Sequence, residues 1–267
     1  MTVAAPPRMA LAHVEAIFGA PPDEVALQTR LAILAASHGL QAPKLVIKEL
    51  PKLDWLKKVA EDFPPLPIAR WIVYGAQHRL AGEADHRIGL QIDATSAFGT
   101  GEHPTTRGCL VMLDWLLKHG FHPRTMLDMG CGSGILALAY AKTCRAQAVG
   151  VDLDVGSVAI AKRNSRVNGV AAFMRAAHGN GYHAPLVRQA APYDLIMANI
   201  FAGPLCRMAH QLKNHLRPDG VAILSGILTH QANRVMAAHR MQGLRLIRRL
   251  TLGEWSVLAF VRPAKAE

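Results

Sequence analysis

The chain has 267 residues, 51% of them hydrophobic, with 30 Lys plus Arg against 19 Asp plus Glu and a formal charge of +11. That size and apolar content suit one large domain, or a catalytic domain with a small appendage. No stretch approaches ~18 uninterrupted apolar residues, which excludes a membrane-spanning helix, and MTVAAPPRMALAHVEA lacks the apolar run of a signal peptide. The basic surplus points to an acidic partner, nucleic acid first, or to charges spread over the surface. A recognition module is not indicated: there is no paired Cys/His spacing for a metal and no basic helix with interleaved aromatics. Cys109, Cys131, Cys144 and Cys206 are scattered, as expected of free thiols in a reducing cytoplasm.

In chain order, residues 1–8 are predicted loose and 9–40 mostly helical, with Pro22 near the start of the periodic stretch and Gly39 at its end. KLVIKEL (44–50) predicts a strand, and DWLKKVAEDF (54–63) a short amphipathic helix stopped by PPLP. WIVYG (71–75) and IGLQID (88–93) predict strands around the polar loop 76–87. This gives a small α+β domain over 1–63, a connector over 64–87 with a hinge near its prolines, and a larger domain over 88–267.

The larger domain alternates. Helices are predicted over 105–120, 133–144, 155–169, 204–216 and 229–243, and strands over 125–130, 147–152, 194–200 and 221–227. Such alternation implies an α/β fold, Rossmann-like, with a mostly parallel sheet covered on both faces. The closing run LRLIRRLTLGEWSVLAFVRP (244–263) reads as two strands joined at Gly253-Glu254, an antiparallel hairpin at the edge.

LDMGCGSGILAL places Gly130, Gly132 and Gly134 between a strand and a helix. Bare backbone there lets a ligand approach the helix N–H groups. Asp152 follows Gly130 by 22 positions, at the tip of the next strand, where an acid accepts ribose hydroxyls. Asp128 stands two residues before the first glycine. A carboxylate there repels a pyrophosphate and suits a ligand with a positively charged amino-acid end, such as S-adenosylmethionine. In DLIMANIFAGPL, Asn199 ends a strand and is followed by Ile200 and Phe201. Its side-chain oxygen, beside exposed backbone carbonyls, suits an amine whose lone pair must be aimed at a methyl group. An Asx-type turn capping the next helix fits the local sequence equally well.

AFGTGEHPTTRG (97–108), the LDMGCGSGILAL…VGVDLD block and LIMANIFAGPL together resemble the bacterial ribosomal protein L11 methyltransferase family. The glycine loop alone fits many methyltransferases; GTGEHPTT is the specific element. The resemblance runs from about Asp54 to the C-terminus. It implies a class I methyltransferase fold, with a seven-stranded sheet ending in an antiparallel hairpin, behind an N-terminal substrate-recognition domain. It implies S-adenosyl-L-methionine as cofactor, and as substrate the lysine side chains and N-terminal α-amine of ribosomal protein L11. Carried over by position, it places cofactor contacts at Thr106, Gly130, Asp152 and Asn199, with Asp128, Gly132 and Gly134 shaping the same pocket. Asn199, Ile200 and Phe201 would orient the accepting nitrogen. AFGTGEHPTTRG is expected to be a lid segment, with His103 as its anchor rather than a base. The family's recognition domain is a ferredoxin-type α+β fold, whereas the stretch before Asp54 is short and helix-heavy, a trimmed version at most. Expected partners are the ribosomal protein and incidental ribosomal RNA, with no membrane, for a cytoplasmic monomer. The rivals are an enzyme of the same fold acting on RNA or another protein, and a non-catalytic binder that keeps the fold.

Overall fold

The computed structural model describes residues 16, 18, 20–48, 64–79, 86–92 and 101–264. The chain divides into two compact units, 1–54 and 55–267. In the first unit, α1 spans Glu24–Ser37, and the Asp23 carboxylate accepts the backbone N–H of Ala26 at 3.0 Å. The helix starts later than expected because Pro21 and Pro22 resist helix while Asp23 caps one. Residues 44–48 hold no strand, since none of the described strands pairs with them. The helix expected over 54–63 lies outside the described residues.

The second unit contains β1 (Leu66–Ile68), β2 (Trp71–Tyr74), β3 (Ile88–Gln91), α2 (Pro104–Lys118), β4 (Thr125–Met129) and α3 (Ile135–Cys144). Then come β5 (Gln147–Asp152), α4 (Val155–Val167), β6 (Met174–His178), α5 (Pro185–Ala190) and β7 (Tyr193–Asn199). It finishes with α6 (Ala202–Arg207), α7 (Ala209–His215), β8 (Leu216–Leu228), α8 (Ala232–Arg240), β9 (Arg245–Leu252) and β10 (Trp255–Val261). Seven strands form one sheet in the order β6-β5-β4-β7-β8-β10-β9. The first five are parallel, and β10 runs antiparallel to both β8 and β9. This is the expected sheet with its terminal hairpin.

The parallel strands were readable because both of their faces are covered. Met126, Leu127, Leu195, Ile196, Met197, Ile223 and Leu224 are all fully buried, so the strands are continuous apolar runs. β6 escaped the sequence reading. It lies at the sheet edge, and Arg175 and His178 are exposed. The helix expected over 204–216 is two short helices broken at Met208 (φ −93°, ψ 5°). The helical stretch ends at His215, before Arg217-Pro218-Asp219-Gly220, and β8 begins at Leu216, earlier than the strand expected over 221–227. Asp219 takes φ +60°, and its N–H donates to the Arg262 carbonyl at 2.7 Å.

The stretch 64–87, expected as a connector, also differs. β1, β2 and β3 form a second, three-stranded sheet. Ile68, Trp71, Val73, Leu90 and Ile92 are buried in the cluster that holds the inner faces of α2 and α3. The Trp71 indole N–H donates to Thr143 Oγ1 on α3 at 3.0 Å. Arg70 pairs with Asp114 on α2, whose other oxygen meets Lys118 at 2.8 Å. Hydrophobic burial of a Trp and several aliphatic residues therefore makes this stretch part of the catalytic body.

On the opposite face, His239 of α8 is fully buried, stacked 5.3 Å from the Phe260 ring, and its Nδ1–H donates to the Val235 carbonyl at 2.8 Å. Nε2 has no partner. Burial lowers its pKa against that hydrogen bond's opposing pull. The folded protein thus keeps His239 neutral, while the unfolded chain protonates near its ordinary value of about 6.5. Its contribution to stability is present above that pH and is lost as pH falls below it. His239→Leu is expected to flatten the decline in urea-unfolding free energy between pH 7 and pH 5; an unchanged slope would refute this.

Candidate functional site

The carboxyl ends of β4, β5 and β7 and the N-terminus of α2 meet at one edge of the sheet. After β4 the chain turns through Gly130, Gly132 and Gly134, with φ of +70°, +51° and +80°. Such angles disfavour any side chain. The turn folds onto β5: the N–H groups of Gly130 and Cys131 donate to the Val151 carbonyl at 2.8 and 3.1 Å. The Gly132 N–H donates to Asp152 Oδ2 at 2.9 Å, and Asp152 Oδ1 accepts the Asp154 N–H at 3.0 Å. A carboxylate oxygen has two lone pairs, so Asp152 keeps acceptor capacity for a ribose diol.

Asp128 is 1% exposed. Its Oδ2 accepts the N–H of Ala137, in the first turn of α3, at 3.0 Å, while Oδ1 is buried without a partner. Burial raises its pKa to about 8; the Ala137 bond pulls the value down and nearby Asp152 pushes it up. A buried carboxyl with an oxygen left over is poised for an incoming cation.

Thr106 lies in the first turn of α2, 1% exposed. Asn199 Nδ2 donates to Thr106 Oγ1 at 3.2 Å. The two residues are 93 positions apart in the chain, yet they face each other across the site. The Asx-turn alternative does not form: α6 begins at Ala202, with Phe201 as its N-cap and no side-chain cap. With Nδ2 bonded to Thr106, Asn199 Oδ1 is the amide atom left over. Ile200 packs its Cγ2 where a Cβ on Gly130 would lie, 2.5 Å away. Phe201 is 78% exposed beside it.

His103 is the N-cap of α2. Its Nδ1 accepts the Thr105 N–H at 3.3 Å and lies 2.7 Å from Thr105 Oγ1, and its ring meets Trp255 edge-on at 4.8 Å. This is the anchor expected of it. Residues 97–100 of the lid segment lie outside the described residues.

Three residues at this edge were not singled out from the sequence. His178 ends β6 in register with Asp152 at the same sheet edge; β6 itself was not recognised. Ser225 and Gly226 of β8 stand beside Asn199 and Ile200. A glycine inside VAILSGI was the available signal, since strand glycines often mark a close backbone approach. Two open cavities of about 430 and 410 Å³ lie elsewhere, one lined by Tyr74, Lys142 and Asn168, the other by Arg70, Arg124 and Thr143.

The residues fit S-adenosylmethionine by their chemistry: an orphaned buried carboxyl oxygen for an ammonium, a glycine turn for close approach, and an acid on the neighbouring strand for a ribose. A seven-stranded sheet carrying these groups on its carboxyl edge defines a class I S-adenosylmethionine-dependent methyltransferase, and the chain is one. The model of the ribosomal protein L11 methyltransferase family matches residues 5–263, and the chain belongs to that family. The ribosomal protein L11 methyltransferase of Rhodopseudomonas palustris (strain BisB5) is 39% identical over 233 residues, covering 87% of this chain and 78% of that protein. The one from Bradyrhizobium diazoefficiens is 40% identical over 241 residues, 90% of this chain and 80% of that protein. A crystal structure of the ribosomal protein L11 methylase from Lactobacillus delbrueckii subsp. bulgaricus superposes with a TM-score of 0.63 at 27% identity, covering 73% of this chain and 96% of that one.

Proposed function

We propose that this protein methylates amino nitrogens of ribosomal protein L11, on lysine side chains and the N-terminal α-amine. The observation that carries the reading is the Asn199–Thr106 hydrogen bond, which leaves an amide oxygen beside the cofactor loop. S-adenosylmethionine, when bound, supplies a methyl group already activated on a positively charged sulfur. Asp128 would hold its ammonium, Asp152 its ribose, and Gly130, Gly132, Gly134 and Thr106 its remaining contacts. The chain's own task is orientation. Asn199 Oδ1 and the Ile200 carbonyl accept the two N–H groups of the amine, with Phe201, whose carbonyl accepts the Leu205 N–H at 3.2 Å, beside them, so that the lone pair faces the methyl carbon. A lysine amine has a pKa of about 10.4 in water, so the site must select the neutral form. The proton passes to bulk water.

Residues 1–63 are proposed to dock the substrate. α1 exposes Val25, Ile33 and Leu34, apolar surface of the kind a protein partner covers. Among the described residues no helix is long and apolar enough to cross a membrane; the proposed enzyme works in the cytoplasm, where its substrate is made, as a monomer. A second reading, methylation of RNA, draws on the +11 charge. Incubation with tritiated cofactor and separated ribosomal protein and RNA fractions distinguishes the two. Label is expected in L11; label confined to RNA would overturn the proposal.

A further inference from the structure

Asn199 and Ile200 owe their position to a neighbouring strand. β7 and β8 pair so that Ser225 stands opposite Asn199. Ser225 is fully buried, and its hydroxyl donates to the Thr105 carbonyl at 3.1 Å. That bond holds the first turn of α2, from which Thr106 meets Asn199. The next residue, Gly226, has φ +78°, where a side chain is strained. A Cβ there would lie 2.4 Å from the Ile200 oxygen, 2.8 Å from its carbonyl carbon and 3.0 Å from its nitrogen. These are backbone atoms and cannot swing aside as a side chain does. On its other side, Ile200 is packed against Gly130. Ile200 is thus gripped between two glycines, one in the cofactor turn and one on β8.

We propose that Gly226 is a positioning residue for methyl transfer: its bare backbone seats the Ile200 peptide so that the Ile200 carbonyl and Asn199 Oδ1 converge on one amine. Ser225 completes the device by fastening the same strand to the N-terminus of α2. The inference rests on the acceptor role given above to Asn199 and Ile200. A methyl group at 226 forces the Ile200 peptide, or the strand that carries it, to move by about 1 Å before ordinary contact is restored. Misplacement on that scale costs a reaction governed by orientation on the order of 10- to 100-fold in rate.

The test compares Gly226→Ala, Asn199→Ala and the unaltered full-length enzyme for kcat, for KM toward L11, and for cofactor affinity by calorimetry. Gly226→Ala is expected to lower kcat ~10- to 100-fold while cofactor Kd stays within ~3-fold. A glycine that serves only the fold would lower the melting midpoint and leave kcat per folded molecule unchanged. A kcat within ~3-fold of the unaltered enzyme overturns the proposal, and so does a parallel loss of cofactor affinity. If Gly226→Ala does not fold, Ser225→Ala takes its place. It is expected to lose ~10-fold in kcat with cofactor affinity kept, and Ser225→Thr, which restores the hydroxyl, to recover part of that loss; an unchanged kcat in Ser225→Ala overturns the proposal. Full turnover in Asn199→Ala would remove the acceptor role itself. Loss in Asn199→Ala with none in Gly226→Ala would remove only the role of Gly226.

Discussion

Asn199→Ala is expected to lower kcat at least ~100-fold, with a loss of cofactor affinity below ~10-fold. The amide has two separable tasks. Nδ2 fastens the end of β7 to Thr106 at 3.2 Å, and Oδ1 is the acceptor proposed for the substrate amine. Alanine removes both, but the glycine turn, Asp128 and Asp152, the proposed cofactor site, are left in place. Their hydrogen bonds do not pass through Asn199. The damage therefore falls on the alignment of the amine, which a methyl acceptor needs in the transition state more than in the bound ground state. Single-turnover kinetics with saturating cofactor measure it directly. Near-normal turnover would show that the nitrogen is aimed by other groups.

Asp128→Asn should stabilise the ligand-free protein and weaken the cofactor complex. The folded carboxyl titrates near pH 8, whereas an unfolded aspartate ionises near pH 3.9. A group whose pKa is raised by folding stabilises the fold below its unfolded pKa. That stability is lost as pH rises toward the folded value. At pH 7 the protein must therefore either protonate Asp128 or bury its charge, at a cost on the order of 1–4 kcal/mol. Asparagine removes that cost and keeps an acceptor for the Ala137 N–H. The melting midpoint of the ligand-free variant is expected to rise by ~2–4 °C for each kcal/mol recovered. Cofactor affinity is expected to fall at least ~10-fold, because the ammonium loses its counter-charge. Binding to the unaltered enzyme at pH 7 should also release a proton from Asp128. Calorimetry in two buffers of different ionisation enthalpy detects that release, and Asp128→Asn should lack it. A variant with unchanged stability and unchanged proton balance would show that Asp128 is ionised before the cofactor arrives.

The sequence carried the catalytic body well where burial is symmetric. Strands such as Met126–Met129 and Leu195–Ala198 are covered on both faces, so their apolar runs announce them. β6 lies at an edge with a neighbour on one side only, and its exposed arginine and histidine blurred the pattern. The glycine turn and Asp152 were legible because spacing along βαβ units is fixed by the fold. The grip on Ile200 was not. It joins residues 130, 200 and 226 through contacts that depend on how β4, β7 and β8 stack side by side. For the same reason, the proline-rich stretch before Trp71 looked like a tether. Only the depth to which Trp71 is buried shows that it belongs to the body.

The position of β10 has a consequence for synthesis. This strand follows every other strand in chain order, yet it lies between β8 and β9. It also carries the supports of α2: Trp255 meets His103, and Val257 packs where a Cβ on Gly108 would lie, 2.5 Å away. While residues 255–261 are still inside the exit tunnel, β8 has an open edge, and the first turn of α2 keeps its tie to Ser225 but lacks the support of Trp255 and Val257. Thr106 is then held less firmly against Asn199. The proposed alignment of the acceptor therefore waits on the pairing of β10 into the sheet, and a chain in which β10 has not yet paired is expected to align a methyl acceptor poorly.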